Sequence, residues 1–473
     1  MESAALHTDF YEINMAYSFF KDGIHEKKAV FELYFRSNPF ENGYAVFAGL
    51  ERVIDYINNF KFTTEDINYL REFDYDESFL TYLENLKFSG SIKSVVEGEI
   101  VFAKEPLLIV EANLIEAQLI ETALLNIINF QTLIATKASR IKNLATYQSL
   151  FEFGARRAQE MDAALWGTRA AYISGFDGTS LVEAGHRFNI PLVGTHAHSF
   201  VQVYQDEYLA FKKYAQSNKD CVFLVDTYDT LKSGVPNAIR VGQEMPDKNN
   251  FKGIRIDSGD LTYNANEARK MLDAAGFEHV KITVSNDLDE DTIASLLLEG
   301  AKIDSFGIGT KLITSYNQPA LGAVYKLVAI QEDGQWVDVI KISNNLEKIT
   351  NPGIKDVYRV INLTTNKAEG DYMCLEGEVI DNNQPLKMYN DKNPFVYKTI
   401  DNYRLFNIHA QIYNHGELVY KKPNLDEIRQ YHQSELNLLW DEHKRYRYPA
   451  QYYVNFSLTL YTIKHDLIKK YQK

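Results

Sequence analysis

The segment Gly194-Thr195-His196-Ala197-His198-Ser199 places two imidazoles among hydroxyls and a glycine. Histidine in such a setting can act as general acid or base, ligate a metal, or accept a phosphoryl group on a ring nitrogen. The same imidazoles could also do no more than close a strand with hydrogen bonds. The segment follows the apolar run Ile190-Pro191-Leu192-Val193, which predicts a short buried strand. Four later apolar runs end in the same manner. Val222–Val225 leads into Asp226-Thr227-Tyr228-Asp229-Thr230, and Gly253–Ile256 into Asp257-Ser258-Gly259-Asp260. Val280–Val284 leads into Ser285-Asn286-Asp287, and Ile303–Phe306 into Gly307-Ile308-Gly309-Thr310-Lys311. A single end of this kind is a turn with a helix cap. Five in succession predict a shared rim, because parallel α/β folds gather their chemistry at the carboxyl ends of strands.

Carboxylates beside hydroxyls and glycines suit a sugar phosphate with vicinal hydroxyls. Asp257 can accept hydrogen bonds from a ribose, and Arg255 can grip a phosphate bidentately. Gly307-Ile308-Gly309-Thr310 lets backbone N–H groups approach a phosphate at a helix start, although a lone Gly-x-Gly is a weak signal. Phe153-Gly154-Ala155-Arg156-Arg157 offers an aromatic face with guanidinium groups, suited to an anionic aromatic ring.

Positioning such a rim requires alternating strands and helices. Helix-patterned segments, such as Asn264–Ala275 and Asp291–Gly300, separate the apolar runs, which predicts a parallel sheet or barrel with helices outside. Upstream, the pattern predicts a helix over residues 6–20 capped by Thr8 or Asp9, with Tyr11 in its first turn. Core packing is the commoner fate of such a tyrosine. Ala29–Arg36 alternates like a half-buried strand, and Arg36 at its end reads as a surface charge. Residues 50–90 predict a helical layer, 92–110 short strands, and 111–140 one or two long helices. On these helices Lys137 and Arg140 share a face. Beyond residue 330 the alternation is lost. Lys341, Lys348 and Lys355 surround the turn at Pro352-Gly353, Val357–Leu363 reads as a strand, and 426–473 as an aromatic, charged, mostly helical packing arm.

A chain of 473 residues exceeds one compact core, so two or more domains are expected. Hydrophobic residues at 45% and charged residues at 24% are those of a soluble globular protein. No apolar run is of transmembrane length by inspection, and Met1-Glu2-Ser3-Ala4-Ala5 lacks the basic start and apolar core of a signal peptide. Cys221 and Cys374 lie far apart, which argues against a disulfide framework and fits a reducing cytoplasm. A net charge of −14 disfavours nucleic acid, while a local arginine cluster can still bind a small anion.

Taken together, Thr8-Asp9-Phe10-Tyr11, Phe153-Gly154-Ala155-Arg156-Arg157, Gly178-Thr179-Ser180, Gly194–Ser199 and Arg255-Ile256-Asp257-Ser258-Gly259-Asp260 resemble the nicotinate phosphoribosyltransferase family. The motifs follow the family's order over nearly the whole chain. The resemblance implies a type II α/β fold. Residues 129–337 would form an open, irregular α/β barrel of parallel strands. Residues 1–128 and 338–473 would together build a second α/β domain, with the protein assembled as a homodimer. It implies condensation of nicotinate with phosphoribosyl pyrophosphate to nicotinate mononucleotide and pyrophosphate, for NAD salvage. ATP hydrolysis would be coupled through a phosphohistidine, with Mg2+.

By the same resemblance, His198 is the phosphorylated histidine and Asp226 the carboxylate that orients it. Arg255 and Asp257 contact the phosphoribosyl group, and Phe153 stacks on the pyridine ring. Tyr11 closes the other face from the partner subunit, and Arg156 lies on the ring and phosphate side. Thr195 joins the substrate contacts, Gly307, Gly309 and Thr310 form the 5′-phosphate loop, and Arg36 reaches phosphate across the dimer. Ser180 replaces the aspartate of the related nicotinamide phosphoribosyltransferase, which favours an anionic pyridine; an N-cap for Leu181–Phe188 is its plainer role. His196 is expected to be structural, no zinc knuckle is expected, and Lys348 and Lys355 have no assigned role. A type I phosphoribosyltransferase is disfavoured because the aspartates after Val225 are separated. A phosphate-binding module without catalysis would not need His198 and Asp226.

Overall fold

The structure, a computed structural model, describes residues 4–391, 393 and 395–471. The chain divides into two compact units, Lys137–Pro319 and the combination of Met1–Thr136 with Ala320–Lys473.

The unit Lys137–Pro319 is a curled, open sheet of six parallel strands. Their order is Gly178–Thr179, Ser149–Glu152, Ser305–Ile308, Lys281–Ser285, Phe251–Ile256 and Cys221–Leu224. Helices such as Val235–Glu244, Leu261–Ala274 and Glu290–Leu298 make the crossovers. The strands are rich in buried residues because helices and the sheet's own curvature cover them. This is the parallel sheet or barrel that the alternating pattern predicts, in the open form that the resemblance implies.

Ile190–Val193 departs from the expected strand. Leu192 makes a single parallel bridge to Thr179. The Pro191 carbonyl accepts from the Thr179 N–H at 3.0 Å, and the Val193 N–H donates to the Thr179 carbonyl at 2.9 Å. Proline has no N–H to continue a ladder, so pairing stops after one residue. Two elements at one side of the sheet, Ser149–Glu152 and the edge pair Gly178–Thr179, are strands too short and too polar to stand out as apolar runs.

The other unit is mixed α/β, built from both ends of the chain. A seven-stranded antiparallel sheet runs Gln335–Asp338, Ala323–Glu332, Lys28–Phe35, Leu108–Asn113, Ser91–Val95, His409–Asn414, Glu417–Leu418. Ala323–Glu332, which falls within the expected barrel range 129–337, pairs here with Lys28–Phe35, and Gln335–Asp338 pairs with Ala323–Glu332. A six-stranded sheet from the C-terminal segment includes Lys355–Asn362 and Ala368–Leu375. The large core draws on Phe31, Phe47, Leu108, Ile115 and Phe456, among others.

The strand Lys28–Phe35 is buried along nearly its whole length, not half-buried as its alternation predicts. Its polar residue Glu32 is covered because Lys355, itself fully buried, meets it at 3.0 Å. The Lys355 ammonium also donates to the carbonyls of Asn351, Pro352 and Gly353, so this lysine pins the Pro-Gly turn. Helix Phe10–Lys21 begins after Asp9, but the Asp9 carboxylate accepts from the Thr122 hydroxyl at 2.8 Å instead of capping the helix. The helical stretch Leu114–Leu144 is long and apolar enough to cross a membrane by length and composition, contrary to inspection of the sequence. Of its most apolar window 61% is buried within the protein, as in a core helix.

Candidate active site

The carboxyl ends of the parallel strands carry most of the residues singled out by the sequence, and hydrogen bonds run between those around Asp226, Asp257, Arg255 and Thr195. His198 opens the helix His198–Tyr204. Its Nδ1 lies 3.1 Å from the Thr227 hydroxyl, and its Nε2 lies 4.0 Å from Asp226 Oδ1. The imidazole is 40% exposed, whereas the Asp226 side chain is 1% exposed, so a buried carboxylate faces an accessible ring. Asp226 Oδ2 accepts from the Asp257 N–H at 2.9 Å and the Ser258 hydroxyl at 2.6 Å. Asp226 Oδ1 is buried and accepts no hydrogen bond among the described residues. The oxygen left open is the one turned toward His198.

Arg255 sits at the centre of the neighbouring cluster. It donates from Nε to Ser285 Oγ at 2.8 Å, from Nη2 to Asp257 Oδ1 at 2.7 Å and from Nη1 to Thr195 Oγ1 at 3.3 Å. Its guanidinium lies 5.3 Å from the centre of the Phe153 ring. Ser285 also donates to Asp257. Thr195 in turn donates to the His196 carbonyl at 2.9 Å, which ties this cluster to the histidine segment.

Phe153 follows the strand Ser149–Glu152 and lies over Gly307. A side chain at Gly307 would run into the Phe153 ring, and one at Gly309 would crowd the Phe153 carbonyl at 3.1 Å. Gly307 is inside the strand Ser305–Ile308, and Gly309 precedes the short helix Thr310–Ile313. The requirement for glycine at Gly307 is thus set by the aromatic ring. Arg156 is exposed in the single turn Ala155–Arg157, directly after Phe153-Gly154. The Ser180 side chain is exposed and its N–H donates to the Glu152 carbonyl at 3.1 Å. Leu181, not Ser180, occupies the N-cap position of Val182–Phe188, so the simple capping role falls away.

His196 serves another purpose. It is 7% exposed and its ring packs against Phe200, Phe211, Tyr214 and Phe223. Its Nε2 accepts from the Leu224 N–H at 3.2 Å, and burial pushes its pKa down to about 4. It is a neutral, structural histidine.

Tyr11 and Arg36 belong to the other unit. Tyr11 is 51% exposed in the first turn of its helix, not packed in the core. Arg36 follows the strand Lys28–Phe35 and is half-buried, and its Nε is covered with no hydrogen-bond partner among the described residues. Lys348 is exposed in the turn Leu346–Lys348.

The motifs did not point to Glu152, Thr227, Ser258 or Ser285 as functional side chains. The last three lie within the polar strand ends already visible in the sequence. Glu152 is the charged residue that ends a strand immediately before Phe153, and that position was its one signal. Among the described residues no cluster of three or more His, Cys, Asp or Glu side chains is arranged to hold a metal.

Comparison with known proteins converges with this geometry. The model of the nicotinate phosphoribosyltransferase N-terminal domain matches residues 6–129, that of the family 148–367, and that of the C-terminal domain 354–464. A nicotinate phosphoribosyltransferase of Bacillus subtilis (strain 168) is 59% identical over 457 residues, covering 96% of this chain and 93% of the relative. One from Caenorhabditis elegans is 36% identical over 526 residues, covering 97% and 92%. The crystal structure of human nicotinic acid phosphoribosyltransferase superposes with a TM-score of 0.85 at 29% identity, covering 98% of this chain and 99% of that one. With an open parallel barrel, a histidine–carboxylate pair and an arginine-centred polar rim, the chain belongs to the nicotinate phosphoribosyltransferase family.

Proposed function

We propose that this chain condenses nicotinate with 5-phosphoribosyl 1-pyrophosphate, giving nicotinate mononucleotide and pyrophosphate, with ATP hydrolysis coupled through phosphorylated His198. The observation that carries the coupling is the His198–Asp226 arrangement. The Thr227 hydroxyl can donate to Nδ1, which places the ring proton on Nε2, facing the open oxygen of Asp226. An approach of about 1 Å would close that hydrogen bond. Once the Thr227 hydroxyl turns away from Nδ1, Asp226 offsets positive charge on the ring while the freed Nδ1 lone pair forms a bond to the γ-phosphorus of ATP. The bond from that phosphorus to the bridging oxygen breaks, and ADP leaves.

In the transfer itself the pyridine nitrogen bonds to the anomeric carbon as the bond from that carbon to the pyrophosphate oxygen breaks. The needs are orientation and stabilisation of the leaving group. Phe153 stacks on the pyridine ring, with Arg156 beside it and Tyr11 available for the other face in a homodimer. Arg255, Asp257 and Thr195 hold the phosphoribosyl group, the Gly309-Thr310 turn meets the 5′-phosphate, and Arg36 supplies a further cation. Ser180 brings no negative charge to repel the nicotinate carboxylate, as an aspartate would. Mg2+ suits a site with few protein donors, since it commonly takes one or two carboxylates beside substrate phosphates. Asp257 would hold it, and the bound ion would offset the charge of the leaving pyrophosphate. The product fits NAD salvage in the cytoplasm.

Pyrophosphate release from nicotinate and phosphoribosyl pyrophosphate, with and without ATP, tests the reading. Wild type should respond to ATP. His198→Ala should lose that response and keep a weak ATP-independent rate. Transfer of label from γ-labelled ATP to the His198→Ala protein would overturn the assignment.

A further inference from the structure

Glu152 has no place in the steps above, yet its contacts reach the segments of Phe153 and Ser180. The strand it ends pairs in parallel with Gly178–Thr179, so that Glu152 lies opposite Thr179. Its side chain is 1% exposed. Oε1 accepts from the Gly154 N–H, and Oε2 accepts from the hydroxyls of Thr168 at 2.9 Å and Thr179 at 2.8 Å. Its main-chain oxygen accepts from the Ser180 N–H at 3.1 Å. Thr179 Oγ1 also accepts from the Leu181 N–H at 3.0 Å, so this one hydroxyl fixes both sides of Ser180. Gly154 is equally constrained, because a side chain there would meet Glu152 Oε1 at 2.8 Å and Ile313 at 2.7 Å.

We propose that Glu152 is a positioning residue for the pyridine substrate, fixing the separation between the Phe153 ring platform and the Ser180 turn. This rests on the functional reading that Phe153 and Ser180 face nicotinate. Burying a carboxylate is costly, and an apolar side chain would fill the same space at less cost. Burial does push the Glu152 carboxyl above its usual pKa, while its three donors work against that shift. What an apolar side chain could not do is bind the backbone after Phe153 and the hydroxyl before Ser180 at the same time. One attachment follows the strand Ser149–Glu152 and the other lies on Gly178–Thr179, so their common carboxylate adds a side-chain link to the backbone pairing between the two sides of the ring site.

The test measures KM for nicotinate and for phosphoribosyl pyrophosphate, kcat and ATP stimulation in Glu152→Gln, Thr179→Val and the double variant. Glu152→Gln keeps the shape but turns an amide N–H₂ toward the two hydroxyls. Its nicotinate KM should rise about tenfold, with the phosphoribosyl pyrophosphate KM and ATP stimulation within about twofold of wild type. The double variant should be no worse than the stronger single variant, because both break the same link. A nicotinate KM within about twofold of wild type, a parallel rise in both KM values, or additive effects would overturn the proposal. Should Glu152→Gln fail to fold, Thr179→Val carries the test, with the same KM split expected and its absence decisive. A wild type that releases no pyrophosphate with nicotinate overturns the functional reading and this assignment with it. A wild type that works, with variants that do not split, overturns this assignment alone.

Discussion

His196 and His198 are separated by one alanine and meet opposite environments. His198 opens a helix with its ring 40% exposed above a buried carboxylate. His196 points into an aromatic nest whose members Phe211, Tyr214 and Phe223 come from later segments. The motif shows that two imidazoles are present, but the distinction between them depends on residues brought in by the fold. A pH prediction follows for His196. Its folded pKa is about 4 against an ordinary 6.5. Between those values the unfolded chain binds the proton and the native state does not. The stabilisation is therefore full above pH 6.5 and is lost as pH falls toward 4, a span of about 3 kcal/mol. His432 is buried and His409 half-buried, and both carry a pKa pushed down by burial to about 4 and add to this acid limb. His196→Phe should lose about 1–3 kcal/mol near neutral pH, because the Leu224 N–H loses its acceptor. The gap to wild type should narrow at about pH 5, where wild type has already lost part of the histidine contribution. Urea denaturation at both pH values measures it, and a constant gap would rule out the titration.

At the scale of elements, the polar strand ends after Val225, Ile256 and Val284 were legible because an abrupt change from buried apolar to polar residues marks a rim. The strand Ser149–Glu152 was not, since Leu150 and Phe151 alone, between a serine and a glutamate, give no apolar run. Nor could the pattern foresee that Pro191 stops the Ile190–Val193 run at one bridge. The glycines illustrate the same limit. Gly307-Ile308-Gly309 suggests a phosphate turn, but the fold places the Phe153 ring against Gly307 from a strand far earlier in the chain. Gly307→Ala should therefore disturb the aromatic platform itself. Its nicotinate kcat/KM should fall about tenfold or more, with a stability loss of about 1–3 kcal/mol from overpacking. Gly309→Ala, which meets only a tight 3.1 Å contact with a carbonyl, should affect nicotinate less. Steady-state kinetics on the two variants decide the matter. Equal effects, or an unchanged nicotinate kcat/KM in Gly307→Ala, would remove the ring as the reason for the glycine.

Across the whole molecule, one unit is assembled from two distant segments, and local sequence patterns carry little of that information. Register such as Ala29 with Ile330 depends on pairing between segments separated by the entire parallel barrel. The buried side chain of Arg359 joins these segments. From the C-terminal segment it donates to Asp371 at 3.0 Å and Glu435 at 2.8 Å. From the N-terminal segment it meets Glu99 and donates to the Ile100 carbonyl at 2.6 Å. Tyr452 donates to Asp371 at 2.7 Å, and Tyr431 donates to Glu99. Burial pushes Glu99 up to about 8 and Glu105 well above the usual carboxylate range, so protons help the single guanidinium balance the acids around it. Removing that cation leaves buried carboxylates without their partner, which costs about 3–5 kcal/mol. Arg359→Leu should show at least that loss in denaturant unfolding. Arg359→Lys should recover only part of it, because an ammonium cannot reproduce the planar fork. Hydrogen exchange locates the effect. Backbone protection should fall together in strands Ile100–Val101, Lys355–Asn362 and Ala368–Leu375, which come from both segments. Loss confined to the C-terminal strands, or an unfolding free energy within about 0.5 kcal/mol of wild type, would show that the two segments are held together by the apolar core without this arginine.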